Sequence, residues 1–519
     1  MDCPIQWLGP TDENDDKKEP KYKRTQFDKD YGTIIYLSEF RKIHDKTQVY
    51  STNKGSARNR LAHSLEVYNV ALQLWREIYY SILKDTSNFQ EVKTTSTPKK
   101  KNDPYWVRYN RGISIEKLLE CCCLAHDIGH PPFAHAAEKG LQENPSLKRK
   151  FDSNKQNLRI LSKVGTIGKI NNSNVSPALL DSLLKSKAAG PFGTDAFNIE
   201  ETEKIKSISI KNGTYLETTE FEKMLVKVKE KFSEDKEFII FYNKAISNEN
   251  IDDKKIYIRH PLTYIMTAAD DISYISSDIE DALKENILQR NELLRELENI
   301  DFKLLNDRYQ EEKGKKIAEI YSECENISCY SKIKSYIIRF LIKKCNENIK
   351  NAIIPSNNNF IIDFLKNDLK KLSNSKNIDP VEYLNCFPII FLYASMENYD
   401  KDLEFGNFLY FKNKSIKDFK KNIFNCILKS KRVLNDNYLA KHIIENLVDL
   451  LNPKNNTEDE IIRISAFLPI EFRKILKDEF KKSPLNSELV IIDYIASLSD
   501  SEAIQTLKKL KRSPFFKYR

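Results

Sequence analysis

The chain has 519 residues, with 84 lysine and arginine residues against 75 aspartate and glutamate residues, and a formal net charge of +9 at pH 7. At roughly 150 residues per domain, this length predicts about three domains, or one large helical body with elaborations. Only 13 glycines and 18 prolines are available for turns, which argues against sandwiches, propellers and glycine-rich nucleotide loops and favours an all-α fold.

The sequence lacks the features of a membrane or secreted protein. Its longest apolar runs, such as 388–396 and 121–125, are far shorter than the ~18 residues that span a bilayer. The N-terminus carries an acidic run at 12–16 instead of a basic segment followed by an apolar one. The nine cysteines are an odd number, include three in a row and form no CxxC pair. We therefore expect a cytoplasmic protein with reduced thiols, in which any metal is held by histidines and carboxylates.

The first predicted elements flank a polar insertion. Residues 1–30 are polar, and the segment from about 87 to 110 contains a run of threonine, serine and lysine, so both are expected to be exposed and without a chemical role. From Arg60 to Trp75 apolar residues recur at helical spacing and leave only a narrow polar stripe. This pattern predicts a largely buried helix that carries His63.

The next predicted helix leads into a sharp corner. Its apolar stripe starts after Ser114, a suitable N-cap, and ends on His126. Pro131 and Pro132 close this helix, and the second proline can open another helix through residues 133–141. A tight corner between two helices is therefore expected just after His126.

The second half of the chain is less regular until its end. A long helix is predicted from about 261 to 283, with Asp270, Tyr274 and Asp278 on one face. Helical patterns return over 437–451 and 488–510. We assign residues 31–290 to a core domain and residues 291–519 to a helical C-terminal region.

Histidines and carboxylates are concentrated near the predicted corner. The chain has seven histidines, and three of them lie in one ten-residue window, His126, His130 and His135, beside Asp127. An adjacent His-Asp pair offers a nitrogen and an oxygen ligand to one cation, and further ligands must come from other helices. The natural candidates are His63 and Asp270. Two imidazoles and two carboxylates suit Mn²⁺, Co²⁺, Fe²⁺ or Mg²⁺ better than a structural zinc ion.

Alternative interpretations of these residues remain open. A single histidine on an apolar helix face, such as His63, is more often a hydrogen-bonded core residue than a ligand. His135 and Glu138 are spaced i, i+3, so the carboxylate can orient the imidazole as a general acid or base. His130 is equally compatible with a catalytic role and with holding the corner.

Six segments occur in the order that is typical of one family. They are 27–49, which ends in Lys-Thr-Gln-Val, then 58–67, 126–138, 154–161, 268–274 and 493–500. Together they resemble the HD-domain deoxyguanosine triphosphate triphosphohydrolases. Three positions depart from the family pattern: Thr33 stands where arginine is usual, Ser186 where a tyrosine follows the lysine, and Glu502 where an aromatic residue is usual.

The resemblance implies an all-α HD fold and a set of residue roles. The implied metal ligands are His63, His126, Asp127 and Asp270. The implied catalytic pair is His135 and Glu138, with His130 beside it. The implied substrate contacts are Arg60 to the α-phosphate, Asn154 and Lys185 to the phosphate tail, Gln48 and Asp278 to the 3′-hydroxyl, and Tyr274 against C2′, where it excludes a ribose.

The resemblance also implies an activity and partners. The reaction is the hydrolysis of dGTP, or of dNTPs more generally, to a deoxynucleoside and tripolyphosphate, with Mn²⁺, Mg²⁺ or Co²⁺ as cofactor. The C-terminal region would complete the nucleotide site and supply the contacts of a homo-oligomer, either a hexamer or a dimer-based assembly. Single-stranded DNA is a regulator of some members.

Two other functions remain compatible with parts of the sequence. A phosphodiesterase acting on cyclic nucleotides or guanosine tetraphosphate would use the same metal scaffold, but the sequence has no Gly-Tyr-Pro element after its His-Asp pair. A protein that mainly binds single-stranded nucleic acid would use the mixed basic and aromatic residues of 508–518 and the basic patch at 148–150. Such charge runs are usually only solvated faces.

Overall fold

The computed structural model describes parts of both the predicted core domain and the C-terminal region. The described residues are 26–49, 58–85, 116–147, 151–162, 175, 179, 182–183, 261–300, 316–323, 330–353, 414–453, 457–482 and 484–514. Their regular structure is helical, without a named strand in these ranges, and an isolated antiparallel bridge joins Thr47 to Asn59. The all-α prediction is confirmed. The described helices include none long and apolar enough to cross a membrane.

The helices up to residue 298 carry the predicted site. They are α1 (Gln26–Tyr36), α2 (Ser38–Lys42) with a 3₁₀ turn (Ile43–Asp45), α3 (Arg60–Asp85), α4 (116–125), α5 (Ala134–Glu143), α6 (Ser153–Ser162), α7 (Pro261–Ser273), a π-helical turn (Tyr274–Asp278), α8 (Ile279–Lys284) and α9 (Arg290–Glu298).

The remaining helices build the C-terminal region. They are α10 (Ile317–Ser322), α11 (Tyr330–Ile353), α12 (Lys414–Leu428), α13 (Lys431–Leu451), α14 (Glu458–Ser465), α15 (Ile470–Lys482), α16 (Pro484–Ser497) and α17 (Asp500–Arg512).

Three predicted boundaries differ from the structure. The pattern over 488–510 belongs to two helices, because Ser499 caps α17 and forms a reciprocal capping box with Glu502. Helix α4 ends one residue before His126, which lies in a turn. Helix α1 begins inside the segment expected to be polar, and Phe27 and Asp30 are buried. Ser114 and the insertion at 87–110 lie outside the described residues.

The described helices pack around two apolar cores. The larger core contains the inward faces of α3, α4, α7 and α11, with the consecutive thiols Cys121, Cys122 and Cys123 fully buried in it. The smaller core joins Ala137 and Leu141 of α5 to helices α13–α17. Since α5 follows α4 directly through the proline corner, this corner is where the two cores meet.

Candidate metal and active site

Four predicted metal ligands from three separate stretches of chain converge. Ligand atoms of His63 on α3 and of His126 and Asp127 after α4 lie within 4.8 Å of one another. Asp270 on α7 joins them, with its Oδ1 2.8 Å from Nε2 of His63 and 3.6 Å from Nε2 of His126. His63, His126 and Asp127 are buried, and Asp270 is partly exposed. The packing of α3 against α7 therefore brings together residues more than 200 positions apart.

The histidine geometry fits a bound cation. Nδ1 of His126 lies 2.6 Å from the carbonyl oxygen of Cys123, and since a carbonyl only accepts, Nδ1 donates. The lone pair of the neutral ring then lies on Nε2, which is buried and finds no hydrogen-bond partner among the described residues. An unsatisfied buried nitrogen facing two carboxylates is unfavourable by itself and favourable as a metal ligand. The donor set of two imidazoles and two carboxylates thus suits a divalent metal.

Arg60 lies against the candidate metal site. Its Nη1 donates to Oδ2 of Asp127 at 2.5 Å, and the residue is 1% exposed. Its Nε and Nη2 are buried without a partner in the described part of the chain. Two unpaired nitrogens of a buried guanidinium, Nε and Nη2, are costly unless an anion accepts hydrogen bonds from them, which makes Arg60 a candidate for a phosphate contact.

His130 connects the candidate metal site to the corner. Its Nδ1 lies 3.2 Å from Oδ1 of Asp127, and its ring centroid is 6.0 Å from that of His135. Burial, and next the charge of Arg60, lower the pKa of His130 to about 3, against the opposing effect of Asp127. The imidazole is therefore neutral at pH 7.

His135 and Glu138 form the predicted pair on the first turns of α5. Nδ1 of the histidine lies 3.3 Å from Oε2 of the glutamate, and 69% of the His135 side chain is exposed. The other glutamate oxygen, Oε1, accepts hydrogen bonds from the backbone N–H and the hydroxyl of Ser153 on α6. Burial alone would raise the pKa of Glu138, but the hydrogen bonds from His135 and Ser153 and the neighbouring His130 lower it to about 2. Glu138 is thus a fixed carboxylate that orients an accessible imidazole.

Two predicted sugar contacts are buried polar groups with unused atoms. Oε1 of Gln48 and Oδ2 of Asp278 are buried, and neither has a hydrogen-bond partner within the described segments. Burial, and then the nearby charge of Asp281, raise the pKa of Asp278 well above its ordinary value. Both side chains can therefore hydrogen-bond a hydroxyl group of a ligand.

The helix that carries Asp270 is not regular, contrary to the sequence prediction. Residues Tyr274–Asp278 form a π-helical turn, a feature that often occurs at functional sites and that no apolar period reveals. The Tyr274 ring stacks on Phe424 of α12, with centroids 4.0 Å apart and planes inclined by 12°. Lys420, ion-paired with Asp271, lies over the same ring at 5.4 Å. The ring is therefore held on one face by residues that the sequence analysis did not single out.

The remaining predicted contacts are only partly described. Asn154 lies half-buried on α6, next to Ser153, and Lys185 lies outside the described residues. Sequence reasoning gave no role to Lys46 or Asp500, although both belong to quoted motifs. Lys46 is 1% exposed, and Nζ donates to the carbonyl oxygens of His130 at 2.6 Å and Ala496 at 2.8 Å. For Lys46, the available sequence signal was a lysine inside a motif.

The family comparison matches the C-terminal region. Residues 412–509 match the model of a family described as a phosphohydrolase-associated domain. This segment contains the stacking residues Phe424 and Lys420 and most of the smaller core.

Curated relatives cover more of the chain. A protein of Rickettsia rickettsii (strain Iowa) is 27% identical over 497 residues, 95% of this chain and 93% of the relative. Proteins of Listeria monocytogenes and Synechocystis sp. are 25% and 29% identical over 329 and 285 residues, respectively. These alignments span just over half of either relative, 58% and 56%.

All three relatives are called deoxyguanosinetriphosphate triphosphohydrolase-like proteins. The alignment with the Rickettsia protein covers nearly the whole chain. The family match is separate and covers a domain described as associated with phosphohydrolases. The order of the motifs and the converging His and Asp ligands agree with both findings. Over nearly its whole length, the chain is therefore similar to a curated deoxyguanosinetriphosphate triphosphohydrolase-like protein, and its C-terminal region matches a phosphohydrolase-associated domain.

Proposed function

We propose that this chain is a metal-dependent deoxynucleoside triphosphate triphosphohydrolase with dGTP as its leading substrate. The observation that carries the proposal is the pairing of the four converging ligands, His63, His126, Asp127 and Asp270, with the buried, half-unpaired guanidinium of Arg60. A metal site beside an anion-binding arginine is what a phosphate ester requires. The names of the relatives support dGTP as the first substrate to test.

In the proposed reaction, the four ligands would hold Mn²⁺, Mg²⁺ or Co²⁺, which would supply Lewis-acid polarisation of a phosphate oxygen. Arg60 binds the α-phosphate through its unpaired N–H groups. Water attacks the α-phosphorus in line with the 5′-oxygen; the new P–O bond forms as the P–O5′ bond breaks. Because an alkoxide is a poor leaving group, a proton must reach the 5′-oxygen as deoxyguanosine and tripolyphosphate separate.

The catalytic pair supplies the proton transfer in this scheme. The exposed imidazole of His135 can exchange protons with water or with the leaving oxygen, and Glu138 holds its ring through Nδ1. Neutral His130, held beside Asp127, donates or accepts a hydrogen bond without adding charge. The 3′-hydroxyl binds to Gln48 and Asp278.

Sugar selection rests on Tyr274 in the same proposal. A tyrosine ring against C2′ leaves no space for a 2′-hydroxyl, so GTP is excluded by contact. The stack on Phe424 and the nearby Lys420 support this role, since they restrict where the ring can move.

The test is product analysis with the purified full-length chain. Each of the four dNTPs and GTP is incubated with Mn²⁺, Mg²⁺ or Co²⁺, and nucleosides and phosphates are resolved by chromatography. Deoxyguanosine with tripolyphosphate, and intact GTP, is the expected result. Equal cleavage of all dNTPs would retain the reaction and reject dGTP preference. Absence of product under every condition would reject the proposal in favour of the phosphodiesterase or nucleic-acid-binding alternatives.

Single-stranded DNA is proposed as a regulator because α17 has a basic outer face. Lys508, Lys509, Lys511 and Arg512 are exposed, whereas Leu507 and Leu510 are buried in the smaller core. Truncation after residue 506 would therefore damage the fold as well as the charge. Substitution of the four cations by glutamate should abolish salt-dependent binding of a single-stranded oligonucleotide, and unchanged binding would reject this site.

A homo-oligomer, hexameric or dimer-based, is proposed on the family resemblance. Sedimentation velocity of the purified chain at several concentrations distinguishes these assemblies from a monomer. A monomer at all concentrations would contradict this part of the proposal.

A further inference from the structure

The backbone that leads into His135 has an uncommon conformation. Phe133 has φ 63° and ψ 27°, and Ala134 has φ 58°, so two successive residues other than glycine lie in the left-handed region. Side chains with a Cβ rarely adopt this region, and such a conformation persists only where the surroundings hold it. It sets the direction in which α5 begins and thus where His135 is presented.

One carboxylate from the C-terminal region holds this backbone. Oδ1 of Asp500, the first residue of α17, accepts the N–H of Phe133 at 2.8 Å. Its other oxygen, Oδ2, accepts both the backbone N–H of Thr47 at 3.1 Å and the Thr47 hydroxyl at 2.6 Å. Asp500 therefore connects the residue before Gln48 with the residue two positions before His135.

Neighbouring contacts reinforce the same three-way junction, which consists of residues 45–48, 130–134 and 496–501. Buried Lys46 donates to the carbonyl oxygens of His130 and Ala496. The N–H of Ser501 donates to Asp45 at 3.3 Å. Each pair of the three segments is thus joined by at least one hydrogen bond.

We propose that Asp500 is a positioning residue that fixes the proposed sugar contact Gln48 and the proposed catalytic residue His135 relative to each other. This inference rests on the proposed function. Asp500 does not touch the substrate in this account; it acts through Thr47 and Phe133. A C-terminal helix thereby determines the geometry of a site whose metal ligands all come from the N-terminal 270 residues.

The test compares variants that alter the junction with one that weakens only the helix cap. Asp500→Asn keeps one acceptor oxygen and replaces the other with an NH₂ group that cannot accept. Thr47→Val removes the hydroxyl at nearly constant shape, whereas Thr47→Ser retains it. Ser499→Ala is the matched control, because it removes the cap of α17 and leaves the Asp500 carboxylate in place.

Three readouts separate positioning from general stability: kcat and KM for dGTP, the Kd for Mn²⁺, and hydrogen–deuterium exchange of peptides covering 130–136. Asp500→Asn and Thr47→Val should lower kcat at least tenfold with an unchanged Mn²⁺ Kd and faster exchange over 130–136. Thr47→Ser should restore kcat to within about twofold of wild type, and Ser499→Ala should retain it.

Each contrary outcome has a distinct meaning. If the wild type is active and both Asp500→Asn and Thr47→Val keep full turnover, the positioning role of Asp500 is overturned and the proposed function stands. Equal loss in Ser499→Ala would also overturn it, because stability would then explain the effect. If Asp500→Asn does not fold, the comparison of Thr47→Val with Thr47→Ser tests the positioning role. A wild-type chain that leaves dGTP intact would instead overturn the proposed function and, with it, the positioning role.

Discussion

Among single residues, His135 and Glu138 carry the sharpest catalytic prediction. His135→Ala or Glu138→Ala should lower kcat for dGTP by about two orders of magnitude or more, because proton transfer at the 5′-oxygen is lost. The Kd for Mn²⁺ at the group formed by His63, His126 and Asp127 should stay unchanged, since His135 and Glu138 belong to a separate group with His130. The measurements are steady-state kinetics and a Mn²⁺ titration.

Gln142→Ala is the control for this pair, because Gln142 is an exposed residue on the same helix. It should leave both kcat and metal binding unchanged. Wild-type turnover in either His135→Ala or Glu138→Ala would contradict the assignment.

Phe424 carries a second prediction at this scale, which concerns sugar selection. Phe424→Leu removes the stack against Tyr274, and an aromatic pair contributes about 0.5–1.5 kcal/mol beyond its buried area. The ratio of kcat/KM for dGTP to that for GTP should therefore fall by a few-fold to about tenfold. Phe419→Leu, at another buried phenylalanine of α12, should leave the ratio unchanged. An unaltered ratio in Phe424→Leu would show that the stack of Phe424 on Tyr274 does not contribute to sugar selection.

Some of the proposed residue roles can be predicted from the sequence, and others cannot. The predicted metal ligands follow from local spacing around residue 126 and from His63 and Asp270, which lie on helices with apolar faces. The stack of Tyr274 on Phe424 joins positions 150 apart, and no local pattern reports such a contact. Asp500 is likewise identified only by its position against Phe133 and Thr47.

At the scale of elements, the approach of α6 to the turn after α4 depends on Gly129. A Cβ at this position would lie 2.3 Å from the backbone nitrogen of Asn157 and 2.4 Å from the carbonyl oxygen of Ser153. Helix α6 also supplies the hydroxyl that binds Glu138 and the Asn157 amide that donates to the carbonyl of His126. Close backbone contact thus places α6 over both the candidate ligands and the catalytic pair.

Gly129→Ala should therefore destabilise the fold by about 1–3 kcal/mol or more and weaken Mn²⁺ binding, because α6 has to move away. Gly32→Ala is the matched control: nothing lies within 4 Å of its added Cβ, and alanine in helix α1 should be neutral or stabilise by about 0.5–1 kcal/mol. Urea unfolding and a Mn²⁺ titration of both variants test this. A Gly129→Ala protein with wild-type stability would disprove the close packing of α6.

Helix existence was predictable here, and helix regularity was not. Apolar spacing indicated α3, α7 and α13, because each buries one face in a core, and the helix-opening Pro132 indicated α5. The π-helical turn at Tyr274–Asp278 and the left-handed residues before α5 depend on contacts with distant helices. The sequence shows only the side chains that make those contacts.

At the scale of the whole molecule, the proposed site spans the two cores. Its metal ligands come from elements of the larger core, while the helix of His135 and Glu138 packs into the smaller one. The junction of residues 45–48, 130–134 and 496–501 joins them, and the buried amine of Lys46 lies at its centre. The relation between the cores was beyond sequence analysis, since it depends on how α5 and α13 pack together.

Lys46 makes the stability of the molecule depend on pH. Burial, and next the charge of Arg60, lower its pKa from 10.5 to about 7. A neutral amine still has two N–H groups for its two carbonyl acceptors. Because the folded pKa lies below the unfolded value, the unfolded chain binds more protons between about pH 7 and 10.5. The stability that the neutral Lys46 amine contributes is fully present above the unfolded pKa of about 10.5. It decreases as the pH falls and is lost once the pH has passed below the folded pKa of about 7.

Wild-type stability should therefore rise from pH 7 to pH 9 relative to that of Lys46→Met, by up to about 1.4 kcal/mol per pH unit. The comparison uses urea unfolding of both proteins at each pH, so that other titrating groups cancel. Lys334→Met is the control, because Lys334 is a lysine paired with Glu280 and Glu66 and located away from the junction. Parallel pH profiles for wild type and Lys46→Met would contradict a neutral buried amine.

In the proposed reaction, water attacks the α-phosphorus and the 5′-oxygen departs. Hydrolysis of dGTP in oxygen-18-labelled water, with mass spectrometry of both products, tests it most directly. We expect one labelled oxygen in the tripolyphosphate and unlabelled deoxyguanosine. Label in the deoxyguanosine, or release of dGMP with pyrophosphate, would contradict it.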